Sequence, residues 1–156
     1  MPEWYDVVDC TGRTVLDLGG YDGGWGAKSA LERGASSAIV VDNGEWVRYD
    51  WVTPGQAQPD YSRFVPDQAR PGIQFVAGDL LDWTEPADIV IAANVIYHLR
   101  RPTEGLRHIR KLTRETVVIR TSTATPEEAG SDGWCWYPGG AGHENGTVWA
   151  RPTEEG

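Results

Sequence analysis

The sequence predicts an α/β fold with a parallel β-sheet, and three observations lead to this prediction. Five short apolar runs have the composition of strands that are buried on both faces. Segments with the spacing of amphipathic helices alternate with several of these runs. The first run leads into a glycine-rich turn and then a helical segment. Because strands and helices alternate, the strands are expected to be parallel, and residues 1–156 are expected to form one domain.

The N-terminal part of the chain contains the stretch around which the prediction is built. Residues 3–9 have the spacing of a short amphipathic helix. Residues 15–24 read VLDLGGYDGG, which predicts a buried strand over 15–18 followed by a turn, and a helix is expected over 25–34 with Gly34 as its C-cap. Glycines let a ligand approach the backbone, and the start of a helix offers unpaired N–H groups. This stretch therefore predicts a ligand-binding cradle.

The residues around the glycines indicate the kind of ligand. The dinucleotide fingerprint G-x-G-x-x-G has its second glycine where this chain has Tyr21, so a nicotinamide-dependent oxidoreductase is disfavoured. Asp17 lies inside the strand, two residues before Gly19. A carboxylate in that place suits a ligand that carries a positive charge or an amine, and S-adenosylmethionine carries both a sulfonium and an ammonium group.

Polar residues also follow the second and third predicted strands. The second strand is expected over 38–41 and ends at Asp42. An acidic residue at this tip of a doubly wound sheet accepts hydrogen bonds from both ribose hydroxyls of a nucleoside. The alternative is that Asp42 only starts the turn made by Asn43 and Gly44. The third strand is expected over 73–76, and Asp79, Leu80 and Asp82 follow it.

The fourth strand and the segment after it are the second informative stretch. The strand is expected over 87–93 and is followed by NVIYHL at 94–99. His98 is a candidate general base because the ordinary pKa of histidine is near neutrality. Tyr97 is a candidate for orienting a substrate or for a cation–π contact. The alternative for His98 is a structural hydrogen bond at the entry to the next helix. Apolar residues at 106, 109 and 112 predict that helix, and a fifth strand is expected over 116–121.

The motifs resemble those of class I S-adenosylmethionine-dependent methyltransferases, whose first motif is an acidic residue followed by spaced glycines. Within that class, Tyr21-Asp22-Gly23 and the 94–99 segment are similar to the branch related to the tRNA wobble-uridine 5-oxyacetate methyltransferases. Asn94 stands where that branch often has glycine. The resemblance implies a Rossmann-like three-layer sandwich with sheet order 3-2-1-4-5 and S-adenosyl-L-methionine as cofactor.

The resemblance also implies roles for individual residues. Asp17 is expected to face the methionine end of the cofactor, Asp42 the ribose, and Asp79 the adenine amine, with Asp82 as an alternative to Asp79. Leu80 is expected against the adenine ring. The tip of the fourth strand, at Asn94, is expected to face the methyl group. The cofactor cradle itself is expected to be formed by Gly19, Gly20, Tyr21 and Gly23.

Three further regions lie outside these motifs. Residues 45–72 are expected to form either a lid, with a short helix around 60–68, or a poorly ordered crossover. The basic face at Arg107, His108, Arg110, Lys111 and Arg114 is expected to be a solvated surface, with a local RNA contact as the sharper reading. The glycine- and tryptophan-rich segment 122–156 replaces the antiparallel strand 6/7 pair that is usual in the resembling class.

The open sheet edge that this segment implies has three explanations. Its tryptophans cover the edge, a second protomer covers it in a homodimer, or the domain is reduced and noncatalytic. Trp134 to Gly139 resembles the segment after strand five in the branch, and Trp149 a later tryptophan. Cys135, His143 and Glu144 are too loosely spaced to predict a metal site, so none is expected.

Composition and charge exclude several classes of protein. The net charge of −9 argues against broad, nonspecific phosphate binding. No apolar run approaches the ~20 residues that cross a bilayer, and the N-terminus does not resemble a signal peptide, so a cytoplasmic protein without a membrane partner is expected. Cys10 and Cys135 are expected to be free thiols.

The sequence therefore predicts transfer of a methyl group to an oxygen or nitrogen atom of an unidentified acceptor, either a small molecule or tRNA. The alternative is a cofactor-binding or noncatalytic interaction module with the same fold.

Overall fold

A computed structural model describes residues 3–21, 23, 25–43, 72–123, 125, 134–136 and 150–152. The central sheet has five parallel strands in the order β3-β2-β1-β4-β5, which confirms the predicted order. Its strands are β1 Thr14–Leu18, β2 Ser37–Asp42, β3 Ile73–Ala77, β4 Ala87–Ala93 and β5 Thr113–Arg120. The helices are α1 Trp4–Val7, α2 Ala27–Glu32 and α3 Pro102–Leu112.

Side chains that alternate along the strands build a core on each face of the sheet. Val15 and Ile89 pack with residues of α1 and α2 on one face. Leu16 and Val90, their immediate neighbours in sequence, pack with residues of α3 on the other. Since both faces are covered, β1 and β4 are apolar almost throughout, and the predicted three-layer sandwich is confirmed.

Helix α2 is shorter than the helix expected over 25–34. It begins only at Ala27 because Trp25 and Gly26 belong to the preceding turn. At its other end Gly34 adopts a φ of +88°, and the amides of Gly34 and Ala35 donate to Leu31 and Ala30 carbonyls. This is a Schellman motif, so Gly34 ends the helix as predicted.

Strand β5 begins earlier than the strand expected over 116–121, because it follows α3 without a loop. Thr113 is the first residue of the strand, and its hydroxyl donates to the Ile109 carbonyl in the last turn of the helix at 2.7 Å. At this same end of the sheet, Thr14 at the start of β1 donates its amide and its hydroxyl to Asp88 in β4, both at 2.9 Å.

A short antiparallel pair follows the central sheet. Strands β6 Trp134–Trp136 and β7 Ala150–Pro152 form a separate two-stranded sheet and do not extend the five parallel strands. The sequence predicts a fold that lacks the usual antiparallel strand 6/7 pair, and it does not predict this small separate sheet.

Several sequence predictions fall wholly or largely outside the described residues. They include the lid over 45–72, of which only Gly72 is described, its helix over 60–68, and the part of the 122–156 segment that contains Trp149. In the part of the chain that is described, no helix combines the length and the apolar character needed to cross a membrane.

Candidate functional site

The turn after β1 is packed around one buried carboxylate. Asp17 is 1% exposed, and its Oδ2 accepts a hydrogen bond of 2.9 Å from the amide of Ala27, the first residue of α2. A Cβ atom on Gly20 or on Gly26 would overlap the Asp17 carboxyl group. Asp17 therefore ties the strand, the turn and the helix start together from beneath, and only glycine fits where the turn passes over it.

Gly19 brings the turn into contact with the segment after β4. Its φ is +66°, and its amide donates to the Val41 carbonyl at 2.8 Å. A Cβ atom here would lie 2.7 Å from Cγ2 of Val95, so a side chain has no room. Gly23 also has a φ of +66°, with a virtual Cβ 3.0 Å from Cγ2 of Val40. Gly19 and Gly23, two of the three predicted cradle glycines, thus lie where the backbone requires glycine.

Tyr21 and Asp42, predicted separately from two different strands, are in direct contact. The Tyr21 amide donates to Oδ2 of Asp42 at 3.0 Å, across the ends of β1 and β2. Tyr21 has a φ of +54°, which is uncommon for a residue with a side chain. Asp42 is partly buried, and its carboxylate therefore holds the strained part of the turn in place.

The residues predicted to contact adenine lie at the neighbouring strand end. Asp42 pairs with Ala77 of β3, and the Gly78 amide donates to the Asp42 carbonyl at 3.0 Å. Next along the chain, Oδ1 of Asp79 accepts from the Leu81 amide at 2.8 Å and caps a 3₁₀ turn over Leu80–Asp82.

Leu80 is more buried than its predicted role requires. It is 8% exposed and belongs to the core between the sheet and α3. Nε2 of His108 in α3 lies 3.1 Å from the Leu80 carbonyl oxygen, which fixes the turn from the helix side. Asp79 and Asp82 remain exposed to solvent.

Asn94 ends β4 in a left-handed conformation. Its φ is +57°, and its amide donates to the carbonyl of Arg120, the last residue of β5, at 2.7 Å. Asparagine tolerates this region better than most residues, which gives a physical reason why it can stand where the resembling branch often has glycine.

The two candidate catalytic residues lie in the next turn. A 3₁₀ turn spans Ile96–His98, and its Val95 carbonyl accepts from the His98 amide at 3.0 Å. The rings of Tyr97 and His98 are 4.3 Å apart between centroids and inclined by 54°. Both side chains are partly buried, so the turn presents an aromatic ring and an imidazole together near the tip of β4.

Two residues that had not been predicted as site residues lie at the same edge. Cζ of Arg120 is 5.3 Å from the ring centroid of Trp25, which lies in the turn leading to α2. The available signal was the place of Arg120 directly after the apolar residues of the fifth strand. Its aromatic partner was not detectable from spacing because the two residues are far apart in sequence.

The structure thus brings the predicted site residues to one edge, formed by the carboxyl ends of the parallel strands, where ligands bind in open α/β sheets. In the ranges that the structure describes, no group of three or more His, Cys, Asp or Glu side chains is arranged to hold a metal ion. His143 and Glu144 lie outside those ranges. The predicted cofactor-binding residues at or beneath the edge are Asp17, Gly19, Gly20, Tyr21, Gly23, Asp42, Asp79, Leu80 and Asn94.

Comparison with known proteins identifies similar folds but no similar sequence family. Neither a protein-family model nor a curated protein sequence matches the chain. A solved 1,6-didemethyltoxoflavin-N1-methyltransferase of Burkholderia thailandensis, with bound S-adenosylhomocysteine, is 17% identical at a TM-score of 0.59 and is matched over 93% of this chain and 56% of its own.

Two further solved structures are similar. An O-methyltransferase family 2 protein of Planctomyces limnophilus, in complex with apigenin, is 18% identical at a TM-score of 0.57, over 81% of this chain and 39% of its own. The magnesium protoporphyrin IX methyltransferase of Synechocystis, with bound S-adenosylhomocysteine, is 18% identical at a TM-score of 0.52, over 71% of this chain and 47% of its own. The chain spans about half the length of the solved structures that it matches. The described chain therefore has the fold of these methyltransferases.

Proposed function

We propose that the chain is an S-adenosylmethionine-dependent methyltransferase that acts on an oxygen or nitrogen nucleophile, with all 156 residues in one domain. The observation that carries this proposal is the close approach of Val95 to Gly19, where an added Cβ atom would lie 2.7 Å from Cγ2 of Val95, so that the glycine turn after β1 packs beside the segment after β4. The methyltransferase fold and the closeness of Asp42 to the same turn support it.

The cradle fits an adenosyl cofactor. Gly19 and Gly23, both at a φ of +66°, let the turn take a left-handed course close to the strand ends. We assign the ribose hydroxyls to Asp42 and the adenine amine to Asp79, whose strands are neighbours in the sheet. Asp17 acts on the methionine end through the turn backbone that it supports. When bound, the cofactor supplies a methyl group activated by its positive sulfur.

The residues after β4 are suited to positioning the acceptor. In-line attack on a methyl group needs the nucleophile to be held at the correct distance and angle, and such positioning contributes much of the rate gain in reactions between two bound groups. Tyr97 orients the acceptor in this proposal. His98 removes the proton from the nucleophile through its imidazole, for acceptors that are not already ionised.

A small-molecule acceptor is favoured over tRNA by the charge distribution. Three of the five residues of the basic face, for which an RNA contact was the alternative to a solvated surface, have partners within the chain: His108 at the Leu80 carbonyl, Arg110 at the Thr113 carbonyl and Arg114 at Asp88. The net charge of −9 also opposes nucleic-acid binding. The resemblance to the wobble-uridine branch nevertheless makes tRNA the first macromolecule to test.

We also propose a homodimer formed through the β5 edge of the sheet. Among the described strands, β5 pairs only with β4 and so lies at the edge. Its Val117 and Ile119 are 40% and 43% exposed. An edge strand with unpaired backbone groups and exposed apolar side chains is suited to pairing with another chain.

Calorimetric titration with S-adenosylmethionine and S-adenosylhomocysteine tests the cofactor. We expect micromolar binding of both and none of NAD. Asp42→Ala should weaken binding by about tenfold or more, because it removes a charged hydrogen-bond acceptor. Asp42→Asn keeps an oxygen for the Tyr21 amide and should lose less of the affinity for the two adenosyl compounds. Glu32→Ala is the control, because it removes one exposed carboxylate, and it should leave that affinity unchanged.

Transfer of labelled methyl from S-adenosylmethionine to phenols, carboxylic acids and tRNA then tests the reaction. His98→Ala should lower the transfer rate to an un-ionised acceptor while leaving cofactor binding intact. A folded wild-type protein that binds neither adenosyl compound would refute the proposed function. Binding without transfer to any acceptor would favour the interaction module with the same fold.

A further inference from the structure

We propose that Arg120, lying over the ring of Trp25, is a carboxylate-binding group beside the reaction site. The inference rests on the proposed function, because it assigns a ligand group within that site. The carboxylate belongs either to the amino-acid part of S-adenosylmethionine or to the methyl acceptor.

The position of Arg120 follows from its backbone and from its aromatic partner. Its carbonyl accepts the Asn94 amide at 2.7 Å, so it lies immediately beside the tip of β4. Its guanidinium reaches to 5.3 Å from the ring centroid of Trp25, a residue of the turn after β1. Ala93 and Trp25 pack against the same core cluster. Arg120 therefore joins the ends of β5 and β4 through its backbone and reaches the turn after β1 through its side chain, where the two predicted motifs meet.

Arg120 has no carboxylate partner among the described residues, whereas several other described cations have one. Arg13, Lys28, Arg101 and Arg114 each lie within 4.0 Å of a carboxylate oxygen. In the described part of the chain no such ion pair is found for Arg120, although acidic residues outnumber basic ones by 23 to 14.

Arg33 provides an internal comparison. It also lies over an aromatic ring, with Cζ 5.0 Å from the centroid of Tyr5. Its guanidinium is neutralised by Asp6 at 2.8 Å. The Arg33 contact is thus a completed surface ion pair, whereas Arg120 is an exposed cation placed on a ring without a described counter-ion.

The chemistry of the guanidinium indicates the ligand. A guanidinium held over an aromatic ring keeps N–H groups available for two parallel hydrogen bonds to a carboxylate. The contact with the ring also restricts the side chain before the ligand arrives, which lowers the entropy lost on binding. One guanidinium balances the charge of one carboxylate, so a monoanionic group matches this site.

The test compares wild-type protein with Arg120→Gln, Arg120→Lys and a control, Arg107→Gln, which removes an exposed positive charge from α3. The ligands are S-adenosylhomocysteine, 5′-methylthioadenosine, which lacks the amino-acid part, and 4-hydroxybenzoate added to the protein saturated with S-adenosylhomocysteine. Each is titrated by calorimetry.

Two results support the inference and distinguish the source of the carboxylate. If Arg120→Gln weakens the binding of S-adenosylhomocysteine by about tenfold and leaves the binding of 5′-methylthioadenosine unchanged, the carboxylate of the cofactor is the ligand. If both adenosyl compounds bind normally and 4-hydroxybenzoate binding falls by a similar factor, the acceptor carboxylate is the ligand. In either case Arg120→Lys should recover part of the affinity, because it keeps the charge but not the planar fork.

Two other results would overturn the inference that Arg120 binds a carboxylate. Equal affinities of the wild-type and Arg120→Gln proteins for all three ligands, with the adenosyl compounds bound, would refute this inference and leave the proposed function standing. A wild-type protein that binds neither adenosyl compound would refute both.

Discussion

At the scale of single residues, Gly19 is the position that joins the two halves of the candidate site. Gly19→Ala should destabilise the protein and weaken S-adenosylhomocysteine binding, because its Cβ would enter the space of Val95, 2.7 Å from Cγ2. We expect a loss in the free energy of unfolding of about 2–4 kcal/mol, of which about 1–2 kcal/mol is left-handed backbone strain. Urea unfolding and calorimetry measure the two effects.

Gly12 supplies a matched control. Its φ is +71°, close to that of Gly19, yet a Cβ atom there meets nothing within 4 Å. Gly12→Ala should therefore show the strain alone and bind the cofactor product normally. Adding Val95→Ala to Gly19→Ala should restore part of the loss, since it removes the atoms that collide. Equal effects of the two glycine substitutions would contradict the packing explanation.

The residues of the site differ in how far sequence could identify them. Asp17, Gly19 and Asp42 were predictable because strand ends and glycine spacing determine which residues reach one edge of a sheet. The hydrogen bond from the Tyr21 amide to Asp42 was not predictable, because it depends on a left-handed φ at a tyrosine. Arg120 and Trp25 meet only through tertiary packing, which leaves no local pattern.

At the scale of elements, the starts of β1 and β4 are joined by Asp88. Its Oδ2 accepts from the amide and the hydroxyl of Thr14, both at 2.9 Å, and Arg114 lies 3.4 Å from Oδ1. The Thr14 amide, followed by the Thr14 hydroxyl and Arg114, lowers the pKa of the Asp88 carboxyl below its ordinary value. Asp88→Asn should therefore destabilise the protein by about 1–2 kcal/mol at neutral pH.

The difference in the free energy of unfolding between the wild-type and Asp88→Asn proteins should depend on pH in one direction. Because the pKa of Asp88 is lower in the folded than in the unfolded protein, its stabilisation is complete above the unfolded value of about 3.9 and is lost as the pH falls through the folded value. Urea unfolding of both proteins from pH 7 to pH 3 should show the gap narrowing below about pH 4.

Two comparisons distinguish the loss of the Asp88 charge from a general effect of removing a carboxylate. Glu104→Gln, in an exposed pair with Arg101 at 3.4 Å, should change stability little at any pH. Cofactor binding by Asp88→Asn should be normal, since Asp88 lies at the opposite end of the strands from the site. A stability gap that stays constant with pH would contradict the role of the charge.

Element boundaries were predictable where the signal was local. The bounds of β4 agree with the expectation of 87–93, because an apolar run ends there at polar residues. The start of β5 was missed by three residues, at Thr113 instead of 116, because the helix passes directly into the strand through the bond from Thr113 to Ile109. No turn-forming residue marks that junction.

At the scale of the whole molecule, the parallel sheet order was predictable because right-handed crossovers leave few arrangements. How the β5 edge is covered was not predictable, since three explanations fitted the same composition. The solved structures of similar fold do not decide between the three explanations, because the chain spans only about half of their length.

The proposed homodimer gives this edge a direct test by analytical ultracentrifugation. We expect a concentration-dependent dimer for the wild-type protein and a monomer for Val117→Lys and for Ile119→Lys. A charge on either side chain would be desolvated between two paired β5 strands and would repel its copy across a symmetric interface. Both side chains are exposed in the single chain, at 40% and 43%, so the substitutions should leave its fold intact.

Val7→Lys is the matched control, because Val7 is an exposed valine, at 70%, in α1 rather than at the β5 edge. It should leave the sedimentation unchanged. A wild-type protein that stays monomeric at every concentration would refute the dimer, and a dimer that survives both β5 substitutions would place the interface elsewhere. The candidate site lies at the carboxyl ends of the strands, and pairing along β5 would leave the carboxyl ends of β1 and β2 open. We therefore expect the monomeric variants to retain cofactor binding.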